Sequence, residues 1–317
     1  MKSGSNLEQL LARGEFVVTG ELGPPLGAGL APIEKKAEFL RGNVDAINVT
    51  DNQTAVVRMS SVSVASHLVR LGLEPVMQMT CRDRNRIAIQ SDLLGAAALG
   101  VKNCLCLAGD HQSFSRAGKL LGHPGAKNVY DLDSLHLLMT LKTMRDDNRF
   151  LGGDPIEEGM PCRMFIGAAW TPLAEPIPFR VVRLGKKSRA GADFVQTQGI
   201  FDVAQFAEQM KKVRARGIHE QTAILAGIIV PKTAGMLKYM NKSVAGVSVP
   251  DEIIKRFEGK KGPDATAEGI KVTAELIQQV RAIEGVRGVH IMAIEWEHKI
   301  PEIVQAAGLL PRPKVDA

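Results

Sequence analysis

Asp110 and His111 stand directly after the small residues Ala108 and Gly109, which end an apolar run that includes Cys104, Leu105, Cys106 and Leu107. Small residues let a ligand approach the backbone, and a carboxylate at the end of a buried strand can hold or move a proton. The same event recurs along the chain. Glu21 follows the first apolar run, Thr50-Asp51-Asn52 the second, Gln78 and Thr80 close the third, and Gln198 follows the sixth. Most of these are uncharged hydrogen-bonding groups joined by a few carboxylates, which suits polar recognition and proton transfer. Taken singly, each has a plainer reading: Glu21 as a solvated strand-end carboxylate, Asp110 as a helix cap or turn residue, Gln198 as a satisfied core amide. The apolar flanks of Glu21, namely Leu22, Pro24 and Pro25, favour its partial burial, an environment that suits a general acid.

The elements that would position these groups are apolar runs at about 16–20, 44–49, 75–79, 102–107, 163–169, 194–197, 222–230 and 286–294. Most are followed by a helical pattern, and eight strand–helix units predict a TIM (β/α)8 barrel, whose reactive face is built from the C-terminal ends of its strands. A barrel commonly fills this length as one unit, so residues 1–317 are expected to form a single domain. Asp133, Asp202 and Asp264 each precede an apolar helical pattern. Two connections are long: 112–159, with polar and Gly-rich stretches around one helix, and 231–285, expected to hold two or three helices.

Composition narrows the function classes. With 45% hydrophobic and 23% charged residues the chain is an ordinary globular protein, with no run near the ~18 apolar residues of a membrane span and no apolar signal core at its start. A cytoplasmic, soluble protein is expected. The net charge of +6 is spread widely, except that Arg180, Arg183, Lys186 and Lys187 cluster, either as a solvated helix face or for an anionic ligand. Aromatics are only 4% of the chain and do not interleave with basic stretches, which argues against nucleic acid. Cys81, Cys104, Cys106 and Cys162 fit reduced core thiols. Only His111 is well placed as a histidine ligand on the reactive face, so no metal site is expected, and no phosphate-binding Gly-rich loop follows the seventh or eighth strand.

In combination the strand ends are more specific. Gly20-Glu21-Leu22-Gly23-Pro24-Pro25, Asn48-Val49-Thr50-Asp51, Gln78-Met79-Thr80-Cys81-Arg82-Asp83, Ala108-Gly109-Asp110, Ala168-Ala169-Trp170, Lys187 to Ala192 and Thr197-Gln198-Gly199-Ile200-Phe201-Asp202, in that order, resemble the methylenetetrahydrofolate reductase family. The resemblance covers most of the chain and is strongest through residue 202. It implies a barrel that binds a flavin, usually FAD, and passes hydride from flavin N5 to 5,10-methylenetetrahydrofolate, giving 5-methyltetrahydrofolate. By this match Glu21 falls on the general acid that protonates N10 of the folate. Asp110 falls on the carboxylate between pterin and flavin, and Gln198 on an amide that contacts folate. Thr50, Gln78, Ala108, Gly109, Asp110, Trp170 and Lys187 match flavin contacts, and Arg180, Arg183 and Lys186, which follow a loop that does not align with the family, are matched beside them. Gln78 stands where the family usually has His, and Trp170 where it has Tyr.

Later segments depart from the family. The helix after the seventh strand carries Met236, Leu237, Tyr239 and Met240 where many relatives present an aromatic platform for nicotinamide, and Ile294-Glu295-Trp296 stands where relatives often have an Arg that contacts folate. The resemblance thus speaks for folate chemistry more than for NADH. The stretch Gly125-Ala126-Lys127-Asn128-Val129-Tyr130-Asp131 looks most like reductases of anaerobic one-carbon metabolism, in which a partner subunit can deliver electrons and FMN can replace FAD; an oligomer or complex is expected. Two other readings compete: a flavin-free pterin-binding methyltransferase component, and a non-catalytic folate-binding subunit.

Overall fold

The fold is that of a computed structural model, which describes residues 1–116 and 119–315. Eight strands close into a parallel barrel: β1 (Val17–Leu22), β2 (Ala46–Val49), β3 (Pro75–Thr80), β4 (Asn103–Leu107), β7 (Phe165–Trp170), β8 (Phe194–Gly199), β9 (Ala223–Ile229) and β10 (Val286–Met292). Two more strands, β5 (Ser113–Arg116) and β6 (Lys119–Gly122), form an antiparallel hairpin after β4. All eight expected strands are present. Buried parallel strands read as continuous apolar runs because both faces are covered, one by the outer helices and the other by the barrel interior.

Side-chain alternation fills the interior in layers. The lowest layer includes Val17, Ala46, Val76, Leu105, Phe165, Phe194 and Leu225, which form one buried cluster with Leu7, Leu10 and Leu11 of the helix Asn6–Ala12. That helix plugs the N-terminal end. Phe165 and Phe194 stack with centroids 5.3 Å apart. Gly167 makes room for them, since a Cβ there would lie 2.3 Å from Phe194 Cζ. The middle layer is polar instead, with Thr19, Asn48, Gln196 and His290 all nearly or fully buried.

The larger cluster of apolar side chains lies outside the barrel, between strands and helices. Asp133 and Asp202 cap the helices Ser134–Lys142 and Val203–Arg214 by accepting from the backbone N–H of His136 and Gln205. Asp264 precedes its apolar pattern but is not the cap of its helix. Pro263 starts that helix earlier, at Gly262–Arg281, and Asp264 lies within its first turn, where a carboxylate still favours the helix dipole. The long connection before β10 holds three helices, Ala234–Ser243, Asp251–Arg256 and Gly262–Arg281. The four cysteines are free and buried. Among the described residues no helix is long and apolar enough to cross a membrane.

Candidate active site

The C-terminal ends of β3, β4 and β7 and the helix Ile177–Arg189 enclose a pocket of about 440 Å³. Gln78, Ala108, Gly109, Asp110, Trp170, Arg180, Arg183 and Lys187 all line it, so the structure gathers most of the expected contact residues on one side of the barrel mouth. Four expected residues lie outside that lining. Lys186 is exposed, with Nζ 5.9 Å from the Phe179 ring centroid, on a different face of its helix. Arg180, Arg183 and Lys187 are spaced by three and four residues and share one face, and the intervening Lys186 is turned about 100° away from Lys187. Thr50, Glu21 and Gln198 stand elsewhere on the rim or in the barrel mouth.

Arg82 organises the loops on the pocket's floor. Its side chain is buried, pairs with Asp83 at 2.7 Å, and donates from Nη1 to the Asp110 carbonyl and from Nη2 to the Asn52 carbonyl, each at 3.1 Å. The hydrogen bond from Arg82 to Asp83 and its charge hold the guanidinium above its usual pKa. The loop after β2 is left-handed at three non-glycine residues, Asn52, Thr54 and Ala55. Such conformations cost of order 1–3 kcal/mol each and are kept only where neighbours over-determine them. Here one neighbour is the Asp110 carboxylate, which accepts from Thr54 N–H at 3.0 Å. Tyr130 closes the other side, its hydroxyl 3.3 Å from the carbonyls of Gly109 and Asp110. Gly109 has φ +91°, and a Cβ would meet Arg82 Cβ at 3.0 Å, so only glycine fits this close approach.

Lys187 supplies the pocket's most perturbed charge. Burial, reinforced by the nearby Arg183, pulls its ammonium from 10.5 down to about 8, and Nζ donates to the Ala169 carbonyl at 2.5 Å. An anion in the pocket would relieve that penalty. Arg180 is partly committed, donating from Nε to the Ala174 carbonyl at 2.7 Å, while its own carbonyl accepts from Trp170 Nε1 at 3.0 Å. Thr50, just beyond β2, is buried with no hydrogen-bond partner for its Oγ1 among the described residues. A buried hydroxyl left unmatched is costly, and a ligand is one way to satisfy it.

Glu21 lies at the other side of the mouth, with its side chain 12% exposed and Oε2 3.7 Å from Nε2 of the buried His290. Nδ1 of His290 is 2.9 Å from Thr19 Oγ1, and Thr19 Oγ1 accepts from Gln196 Nε2 at 3.1 Å. Gln196 and Asn48 exchange two amide hydrogen bonds, at 2.6 and 3.0 Å. His290, Thr19, Gln196 and Asn48 were not among the expected site residues. The signal for His290 is a polar residue interrupting an apolar strand at an inward position, two residues from Gly288 and from Met292. Gln198 sits where β8 changes register between Gln196 and Gly199, and its Oε1 accepts from Gly199 N–H at 3.0 Å. His111 is exposed outside the pocket, with Nδ1 2.9 Å from the Ser113 carbonyl.

A closed parallel barrel with polar groups converging at the C-terminal strand ends defines a (β/α)8-barrel protein whose reactive face is its top. Within that class the chain belongs to the methylenetetrahydrofolate reductase family, whose model matches residues 6–308. It is 24% identical over 242 residues to "Methylenetetrahydrofolate reductase 2" of Schizosaccharomyces pombe, covering 74% of this chain and 36% of that protein. It is 26% identical over 259 residues to a "Probable methylenetetrahydrofolate reductase (NADPH)" of Caenorhabditis elegans, covering 80% of this chain and 35% of that protein. The chain thus spans little more than a third of the length of these relatives. A solved structure similar in fold, with TM-score 0.63 and 11% identity over 97% of this chain and 99% of that one, is an uncharacterized protein from Clostridium thermocellum that binds two copies of 5-methyl-5,6,7,8-tetrahydrofolic acid.

Proposed function

We propose that this chain is a single-domain, flavin-dependent reductase that converts 5,10-methylenetetrahydrofolate to 5-methyltetrahydrofolate, with Glu21 as general acid and Asp110 as the second catalytic carboxylate. The observation that carries this reading is the division of the barrel mouth: a cation-lined pocket on one side, and a mostly buried carboxylate beside a buried imidazole on the other. Ring opening of the substrate requires a proton on N10, because an amine leaves poorly unless protonated. In this reading Glu21 delivers it, supported by its apolar surroundings, including buried Leu22 and Pro24, which keep bulk water from competing.

The pocket's residues fit a flavin. Gly109 lines the pocket with backbone, and Arg183 and Lys187, with Arg180, present cations to a phosphate, while Thr50, outside the lining, carries a buried hydroxyl with no partner among the described residues. Gln78, Ala108 and Trp170 supply the remaining polar and apolar walls. A flavin bound there supplies the hydride. Asp110 places a negative charge beside it, and Gln198 offers its amide to the folate. Either FMN or FAD meets these requirements.

Electrons are proposed to come from a partner subunit in the cytoplasm rather than from NADH. In the helix Ala234–Ser243, Leu237 and Met240 are buried and Met236 packs against the core, which removes them as a nicotinamide platform. The test is an absorbance spectrum of the purified protein, followed by addition of methylenetetrahydrofolate to the chemically reduced form. A flavin band that returns on adding the folate is expected; a colourless protein that takes up no added flavin would overturn the reading.

A further inference from the structure

His290 lies in the polar middle layer of the barrel, 4% exposed, paired with Thr19 across the β1–β10 seam and opposite Gly227 on β9. Gly227 has no side chain to offer, and Glu21 is the carboxylate that faces the ring, Oε2 lying 3.7 Å from Nε2. The hydrogen-bond directions around the ring follow from the amide orientations of Gln196 and Asn48. The Gln196–Asn48 amide pair uses Gln196 Oε1 as acceptor and one Nε2 hydrogen as donor, so the second Nε2 hydrogen points to Thr19 Oγ1. Thr19 then has its own hydroxyl hydrogen to place. The candidates are His290 Nδ1 at 2.9 Å and the Val289 carbonyl at 3.4 Å, and the shorter contact is the better hydrogen bond. A hydroxyl that donates to Nδ1 leaves the neutral ring protonated on Nε2, the nitrogen that faces Glu21.

Resting on the reductase reading above, we propose that His290 is a positioning residue for the proton transfer: its neutral, Nε2-protonated ring holds Oε2 of Glu21, so that the transferable proton sits on Oε1. The separation of 3.7 Å is longer than a formed hydrogen bond, and such contacts tighten once a site is filled. When Glu21 gives its proton to N10 of the folate, one O–H bond breaks, one N–H bond forms, and the carboxylate left behind gains the Nε2–H donor. His290 itself neither gains nor loses a proton. The buried chain from Asn48 through Gln196 and Thr19 sets the tautomer in advance, so no reorganisation is needed during the step.

Two measurements on the full-length protein with its flavin test this. Nitrogen-15 shifts of selectively labelled histidine, assigned by comparison with His290→Gln, should show a neutral ring protonated on Nε2 at pH 7.5, and Thr19→Val should make the tautomer mixed. In single-turnover oxidation of the pre-reduced protein by methylenetetrahydrofolate, His290→Gln, whose amide nitrogen overlays Nε2, should react about tenfold or more faster than His290→Asn, whose amide reaches only the Nδ1 position. The two variants should differ in rate at saturation and not in the half-saturating folate concentration. A ring that only fills space would leave both variants equal. An Nδ1-protonated or charged ring in the wild type, or equal rates for the two variants, would overturn the proposal. A wild-type protein with the Nε2 tautomer that does not react with the folate would overturn the reductase reading and, with it, the role in proton transfer, leaving only the orientation of Glu21.

Discussion

Replacing Lys187 by Met should stabilise the protein at neutral pH while weakening its hold on flavin. Burial and Arg183 lower the Lys187 pKa from 10.5 to about 8, a difference of about 2.5 units, or about 3 kcal/mol of penalty on the charged form. The substitution removes that penalty and also the hydrogen bond to the Ala169 carbonyl, which contributes about 1 kcal/mol. The net expected gain at pH 7 is about 2 kcal/mol. Its pH dependence has a definite sign. Between about pH 8 and 10.5 the unfolded chain binds more protons at this site than the folded one, so the wild type gains stability as pH rises through that window. Below pH 8 it carries the whole penalty. The advantage of the variant should therefore be largest at pH 7, vanish near pH 10 and reverse above it, where only the lost hydrogen bond remains. Urea denaturation of flavin-free protein at pH 7, 9 and 10 measures both. A variant less stable than wild type at pH 7, or a difference that does not change with pH, would refute the assignment of Lys187 as a buried cation waiting for an anion.

Three further outcomes are expected. Asp110→Asn keeps an acceptor for Thr54 N–H but removes a charge beside the flavin, so a redox titration should show a potential higher by about 20 mV, corresponding to about 1 kcal/mol over two electrons, together with weaker folate binding. Gly167→Ala places a Cβ 2.3 Å from Phe194 Cζ and 2.8 Å from Leu105 Cδ1, and thermal denaturation should show a loss of about 2–3 kcal/mol that Phe194→Leu partly restores in the double variant. Stopped-flow mixing of the oxidised protein with NADH should bleach the flavin far too slowly to sustain turnover, whereas an artificial donor should support folate reduction; rapid bleaching by NADH would show that Tyr239, Trp296 or Phe201 provides the nicotinamide platform.

The barrel was legible because each of its strands is buried on both sides and so reads as an apolar run without alternation. The top-face groups were legible for the complementary reason: Glu21, Thr50, Gln78 and Asp110 appear where those runs stop. The hairpin β5–β6 was not, since its strands are only four residues long and β6, with Leu120 and Leu121 exposed, has no buried face to imprint a pattern. The grouping of Arg180, Arg183 and Lys187 without Lys186 was available from helical spacing alone, once the segment is placed on one helix. His290 was masked by its apolar neighbours Val289 and Ile291, which face the outer core while it faces inward. The polar layer it belongs to comes from four strands and has no local signature, so only the closed barrel brings Asn48, Gln196, Thr19 and His290 together.

The most direct test of the account is Glu21→Gln studied in its two half-reactions by stopped flow. The amide is close in size to the carboxyl group but has no acidic proton, so the flavin should still be reduced by an artificial donor at the wild-type rate, while oxidation of the reduced flavin by methylenetetrahydrofolate should slow by a factor on the order of a hundred or more. Folate reduction by Glu21→Gln at the wild-type single-turnover rate would contradict the account.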